Sequence, residues 1–309
     1  LTMTDAAAPA PRSLSPFAGL MSGTAGPVIV VVLAILAIWY LAAVILNTPF
    51  QSEMYERAKQ TDVPVSQLVT DTLNQERPVL PAPHQVVEEI YKTTVLKKIT
   101  SKRSLIHHTG ITLSSTMLGF LIGTTLGILL AIGIVHSRVL DKSLMPWVIS
   151  SQTIPILAIA PMIIVVLNAV GISGLLPKAM ISTYLSFFPV TVGMVKGLRS
   201  PEIIHLDLMH TYSASRIQTF WKLRFPYAVP YLFTSMKIGI AASLVGAIVG
   251  ELPTGAVAGL GARLLAGSYY GQTIQIWSAL LMAAFLAGAL VTLIGVIEKL
   301  VLKRMGMSR

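Results

Sequence analysis

The chain is 309 residues long, 54% hydrophobic and only 12% charged, with a formal charge of +10 and no cysteine. Soluble domains average about 25% charged residues, so this composition argues against an ordinary soluble enzyme and for one polytopic membrane domain. Without cysteine there are no disulfides, no Cys-ligated zinc and no thiol catalysis. The positive charge reads as loops facing anionic membrane lipids and the cytoplasm, with no nucleic acid implied.

A bilayer core about 30 Å thick takes about 20 apolar residues as a helix. Residues 1–26, rich in Ala, Pro and Ser, read as a disordered cytoplasmic tail. "PVIVVVLAILAIWYLAAVIL" (27–46) is a first transmembrane anchor, too long for a signal-peptide core. Residues 47–110 form a periplasmic loop, in which "RPVLPAP" is an extended link and "PHQVVEEIYKTTVLKKI" an amphipathic helix. That helix suits the membrane surface, the preferred placement, or a cap over the outer mouth. The core, 111–309, contributes spans at about 111–135, 145–168, 173–195, 231–250 and 274–298. The expected fold is all-α, with about six transmembrane helices.

Basic residues orient it. With the N-terminus inside, the inner segments hold Arg12, Arg138, Lys142, Lys196, Arg199, Arg216, Lys222, Arg224, Lys299, Lys303, Arg304 and Arg309. The short outer loops hold only Lys178 and Arg263. Both termini are therefore expected in the cytoplasm. The long 47–110 loop carries eight basic residues on the outside, "KKITSKR" among them, and at its length the rule loses force.

Residues 196–230 form a polar break among the spans. Ser200 suits a helix N-cap, Pro201 the first helical position and Glu202 the first turn. The helix would present Ile203, Leu206, Met209 and His210 along one face. Ser213 or Ser215 would cap a second helix carrying Arg216, Phe220 and Leu223, which Pro226 and Pro230 would end. Apolar residues on a helix pair facing water either meet a partner or rest on lipid headgroups.

Earlier in the chain, Ser150, Ser151, Gln152 and Thr153 precede Pro155 and Pro161 in "SSQTIPILAIAPMIIVVLNA". Irregular backbone in a membrane lines a wet cavity or is buried in protein. The stretch reads as pathway lining, against kinked packing with self-bonded hydroxyls. Glu251, ending the fifth span, would pair with a cation or line the outer mouth. Lys237 would snorkel to the headgroups. The glycines of "LGFLIGTTLGILLAIG" (118–133) allow close helix packing. His107 and His108 point apart and make a poor metal site; Trp147 and Trp277 are interface anchors.

The polar break resembles the signature loop of ABC-importer permeases: Glu-Ala-Ala, three residues, Gly, nine residues, Ile, any residue, Leu-Pro. Asp207, Leu208 and Met209 fill the first places, Ser213 the glycine place, and Leu223, Phe225 and Pro226 the last three. "FFPVTVGMVKGLRS" (187–200) and "GELPTGAVAGLGARL" (250–264) extend the likeness over roughly 105–300, most closely to the nitrate, sulfonate, taurine, bicarbonate and pyrimidine-precursor branch. The resemblance implies a type I permease fold in the bacterial inner membrane, and a coupling loop over 196–230 that docks on a separate cytoplasmic ABC ATPase dimer. Asp207, Leu208, Met209, His210, Ser213, Arg216, Leu223, Phe225 and Pro226 would make that contact. It also implies a second copy of the chain and a periplasmic or lipid-anchored solute-binding protein. No G-x-x-x-x-G-K-[ST] occurs in the sequence, so no cofactor is expected on this chain, and ATP and Mg would sit on the ATPase. The expected cargo is a small polar, anionic solute or a pyrimidine precursor.

Two alternatives are a passive channel and an intramembrane enzyme. "GISG" (171–174) fits the Ser motif of rhomboid proteases. None of the six histidines falls within a predicted span, so Ser173 would lack its base.

Overall fold

The computed structural model describes residues 25–60, 62–252 and 258–307. The expected N-terminal tail, up to residue 24, and the centre of the 250–264 stretch lie outside the described residues. The described residues hold helices and turns only. Five helices are long and apolar enough to cross a membrane, six when a bent pair is taken as one span. The contact pattern divides the chain at Gln85 into two compact units.

In the first unit, α1 (Ala25–Arg57) runs eleven residues beyond the expected anchor, passing through Pro49. The expected loop start at 47 is therefore helical. Asn47, fully buried, explains the extension. Its Nδ2 donates to the Leu80 carbonyl at 2.9 Å, and its Oδ1 accepts from the Val79 and Leu80 amides at 2.8 and 3.1 Å. The "RPVLPAP" link is thus tied along α1 by one amide that satisfies its backbone. A short helix not expected from sequence, α2 (Val65–Leu73), is joined to α1 by the Tyr55 hydroxyl donating to Asp71.

The second unit begins at Val86, within α3 (Pro83–Tyr91), which passes into a π-helical turn, Lys92–Leu96. One face of the amphipathic helix packs on protein. Ile90 packs into the main apolar cluster with Leu105 and Leu260, and Glu89 Oε1 lies 3.5 Å from Arg263 Nη2. The other face leaves Val87 and Tyr91 exposed.

The transmembrane core is α4 (Leu105–His136), α7 (Leu175–Leu198) and α10 (Phe225–Glu251), backed by α12 (Thr273–Arg304). Lipid tails are as apolar as leucine, so helices associate there through close packing and hydrogen bonds. Gly119, Gly123 and Gly127 lie on one face of α4, against α7. A Cβ at Gly119 would come within 2.6 Å of the Ala179 carbonyl, and one at Gly127 within 2.9 Å of the Phe187 carbonyl. The absent side chains let Thr183 Oγ1 donate to the Gly119 carbonyl at 3.2 Å. Ser243 of α10 donates to the Thr116 carbonyl of α4 at 2.8 Å.

The expected span at 145–168 is broken. α5 (Arg138–Ser150) ends in a 3-10 turn, Ser151–Thr153, and α6 (Ile156–Ala169) leaves at 102°. Extended Ile154 and Pro155 make the corner. Sequence suggested a kink, but the residue before a proline avoids helical backbone, and here that preference opens a full break. A ten-residue helix, α11 (Leu260–Tyr269), precedes α12.

Candidate functional site

The polar break folds as α8 (Ile203–Thr211), a tight turn and α9 (Arg216–Thr219). Ser200 does not cap α8 as expected. Its amide and hydroxyl both still bond the Gly197 carbonyl, at 3.1 and 2.7 Å, so it closes α7. α8 therefore starts at Ile203 behind Glu202, with Pro201 outside the helix. At its far end the Ser213 amide reaches the His210 carbonyl at 2.9 Å and the Ala214 amide the Met209 carbonyl at 3.0 Å. This is the Schellman pattern, which places the residue after the cap in left-handed conformation. Ser213 has φ +51, so it holds the place where the family signature carries glycine.

Ser215 then caps α9 through a reciprocal box with Gln218: Ser215 N donates to Gln218 Oε1 at 2.8 Å, and Gln218 N to Ser215 Oγ at 3.3 Å. Pro226 and Pro230 do not end this helix, as sequence suggested. A π-helical turn, Phe220–Arg224, widens the coil, with Phe225 N donating to the Phe220 carbonyl. Helix then continues from Arg216 to Glu251. Pro226 directly follows this wide turn, and the helix passes it without a break.

The pair is anchored at both ends. At its exit, Phe220 is buried with Ala131, Met194, Leu198 and Ala228, and Arg224 Nη1 donates to the Leu198 carbonyl at 2.9 Å. At its entry, Arg199 pairs with Asp141 of α5 at 2.9 Å. Between the anchors the outer face is apolar and bare: Ile203 is 76% exposed and Ile217 72%, with Ile204, Leu208, Tyr212 and Trp221 beside them. The expected face is half right. Ile203 and His210 are exposed, but Leu206 and Met209 turn inward and are partly buried. Asp207, Leu208 and Arg216 are exposed; Leu223, Phe225 and Pro226 are partly buried in the exit anchor. Asp207 makes no ion pair among the described residues.

The expected pathway residues gather at the 102° corner. Ser150, Gln152, Thr153 and Pro155 are exposed and Ser151 partly so, while Pro161 sits inside α6. Ser151 and Thr153 hydroxyls donate to the Val148 and Ser150 carbonyls, at 2.7 and 2.8 Å. The Tyr184 hydroxyl of α7 donates to the Ser151 carbonyl and pins the turn.

Glu251, the other expected pathway residue, lies apart from this corner and is 0% exposed. The Thr112 hydroxyl lies 3.0 Å from both carboxylate oxygens, and the Gly261 amide donates to Oε2 at 2.8 Å. Thr112 Oγ1 in turn accepts from the Leu260 amide at 2.8 Å. His108 Nδ1 accepts from the Gly259 amide at 2.9 Å, which leaves Nε2 to donate to the Lys102 carbonyl at 3.0 Å. Sequence gave no signal for this clamp, whose members are far apart in the chain. Lys237 does not snorkel as expected; it pairs with Glu298 of α12. α4 is longer than its predicted span, so His107, His108 and His136 do lie in a spanning helix. The ring of His108 is fully engaged and Ser173 sits in an exposed turn, so no nucleophile–base pair forms there.

The sequence is similar to those of known proteins. The model of a family described as "Binding-protein-dependent transport system inner membrane component" matches residues 123–307. A probable ABC transporter permease protein of Haemophilus influenzae is 30% identical over 204 residues, 66% of this chain and 78% of that one. The riboflavin transport system permease protein of Chloroflexus aurantiacus is 30% identical over 225 residues, 73% and 80% of the two chains. The formylaminopyrimidine transport permease protein of Halalkalibacterium halodurans is 32% identical over 184 residues, 59% and 68%.

Proposed function

The chain belongs to the family of binding-protein-dependent transport system inner membrane components, and from that premise we propose how this permease works. It is a multi-pass subunit of an ABC importer for a small solute in a bacterial inner membrane, with both termini on the cytoplasmic side. The α8–α9 pair docks in a groove of a separate ABC ATPase, which binds the ATP and Mg. Two copies of the chain face the two-fold ATPase dimer, and a periplasmic or lipid-anchored binding protein delivers the solute. That solute is a small polar molecule, an oxyanion such as nitrate or a sulfonate, or a heterocycle of the pyrimidine-precursor class.

One observation supports the coupling role above the others: a bare apolar helix pair fixed rigidly at both ends. An unpartnered surface of Ile203, Ile204, Leu208, Tyr212 and Ile217 costs solubility unless something covers it. Its anchors on α5, α7 and α10 tie the pair to the spans at both ends, so that a push on α8 would reach them. Motion of the ATPase would be passed to the spans, with Asp207 offering an unpaired anion to a cation of the groove.

The test is a pull-down of the tagged chain in mild detergent, followed by ATPase and uptake assays. Wild type should bring down an ATPase with a phosphate-binding loop. Leu208→Glu and Asp207→Arg should keep the permease folded, lose most of that ATPase and abolish solute-stimulated hydrolysis. Met209→Glu, aimed at a half-buried side chain, should also unfold the pair. Normal ATPase recovery and normal uptake by both Leu208→Glu and Asp207→Arg would place the docking surface elsewhere.

A further inference from the structure

The basic run "KKITSKR" sits on the side that the positive-inside pattern leaves poor in cations, and the coupling surface gives it no role. In the structure it opens onto a cavity of about 390 Å³. Lys97 and Arg103 line this cavity with Arg263 of α11, Gln272 and Gln275 at the start of α12, and Glu89 of α3. Arg103 stands just before Ser104, the N-cap of α4, whose other end, His136, lines a pocket with Leu206 and His210 of α8. The cavity is thus at the opposite end of a helix about 48 Å long, at about 1.5 Å rise per residue.

Arg263 distinguishes this place from an ordinary charged surface. Its side chain is only 8% exposed, and its Nε has no hydrogen-bond partner among the described residues. The nearest acid, Glu89, stands 3.5 Å from Nη2, at the limit of a hydrogen bond, and is itself one side chain against three cations. A guanidinium offers five N–H donors and keeps its charge, and a buried charge without full pairing is costly. Burial lowers the pKa of Arg263 from its ordinary value, Glu89 opposing this and Arg103 adding to it. The cavity also meets the start of α12, a 32-residue helix whose N-cap, Gln272, makes no side-chain cap. Such an N-terminus favours negative charge. Cations, amide donors and a helix N-terminus converge on one polar space without an equal number of acids to fill it.

We propose that this cavity binds a small oxyanion of the sulfate, sulfonate or nitrate kind, held within by the Arg263 guanidinium and at the mouth by Lys97 and Arg103. The oxyanion could belong to a free solute or to the headgroup of an anionic lipid, and the chemistry of recognition is the same. Its role as a reception point for solute on the side opposite the ATPase rests on the import reading above. The binding itself rests on the cavity.

The test uses the purified full chain in nanodiscs of phosphatidylcholine. Binding of sodium sulfate is measured by calorimetry against sodium chloride at constant ionic strength. Lys97→Gln and Arg103→Gln, singly and together, leave Arg263 and its packing in place, and their melting without sulfate should match wild type. Wild type should bind sulfate above the chloride background. The double variant should bind roughly tenfold more weakly or worse, as expected for losing charge-assisted hydrogen bonds. Adding phosphatidylglycerol to the nanodiscs separates the sources: loss of sulfate binding identifies a headgroup as occupant, and persistence identifies a free oxyanion. Absence of sulfate binding by wild type, or equal binding by the double variant, would overturn the site. Successful ATPase recovery in that case would leave the import reading intact.

Discussion

Glu251 shows how one side chain closes a loop between distant elements. Its carboxylate takes the Gly261 amide and the Thr112 hydroxyl, and so ties the start of α11 to α4. A carboxylate at a helix start is favoured by the helix dipole, and here it also satisfies donors that have no water to turn to. Glu251→Ala should orphan the Gly261 amide and leave the Thr112 hydroxyl only the His108 carbonyl, at 3.2 Å. At about 1–3 kcal/mol for an unsatisfied buried donor, the loss is appreciable against ordinary domain stability. Thermal melting in detergent should show a large fall in Tm, while Glu251→Gln, which keeps one acceptor oxygen, should fall less. Should Glu251→Ala melt like wild type and lose only uptake, Glu251 would be a pathway residue after all.

At the scale of elements, the Lys237–Glu298 pair joins α10 to α12. Removing one partner of such a pair costs more than replacing both with apolar residues, because the survivor is left as an unpaired charge. Lys237→Met and Glu298→Leu should each destabilise, by less than the roughly 3–5 kcal/mol of a fully buried pair because the Lys237 side chain is 33% exposed, and the double variant should recover most of the loss. Additive single effects in chemical unfolding would show that the two charges do not depend on each other. Elements of this kind mark the limit of sequence reading. The long helices were legible because apolar runs of bilayer length carry their own signal, and the glycines of α4 announced close packing. The turn at Ser213 and the cap at Ser215 were legible as punctuation. The docking of α3 and the partners of Lys237 and Glu251 depend on residues tens to more than a hundred positions apart. No local pattern encodes those distances. The wide turn at Phe220–Arg224 hid for another reason: sequence rules read prolines as helix ends, whereas one extra residue per turn lets the helix pass them.

Across the whole chain, the α8–α9 pair and the Arg103–Arg263 cavity stand at opposite ends of α4, with the 102° corner on a separate broken span. An importer that alternates its access needs a stretch where water reaches the middle of the membrane in one state and not in another. The corner is the best candidate, since exposed Ser150, Gln152 and Thr153 lie there at the end of α5 and in the 3-10 turn that Tyr184 pins, just before extended Ile154 and Pro155. The sequence contains no cysteine, so each position can be tested by a single introduced thiol in an otherwise unreactive chain. Ser150→Cys, Gln152→Cys and Thr153→Cys should react with a membrane-impermeant thiol reagent, and Val148→Cys, at a buried position of α5, should not. In the assembled transporter the three reactive positions should change their labelling rate severalfold when ATP is added with a non-hydrolysing ATPase variant, because closure of the ATPase would shift which side is open. Rates that stay the same with and without ATP, or thiols at all three positions that react no faster than Val148→Cys, would remove the corner from the pathway and leave its broken helix as packing alone.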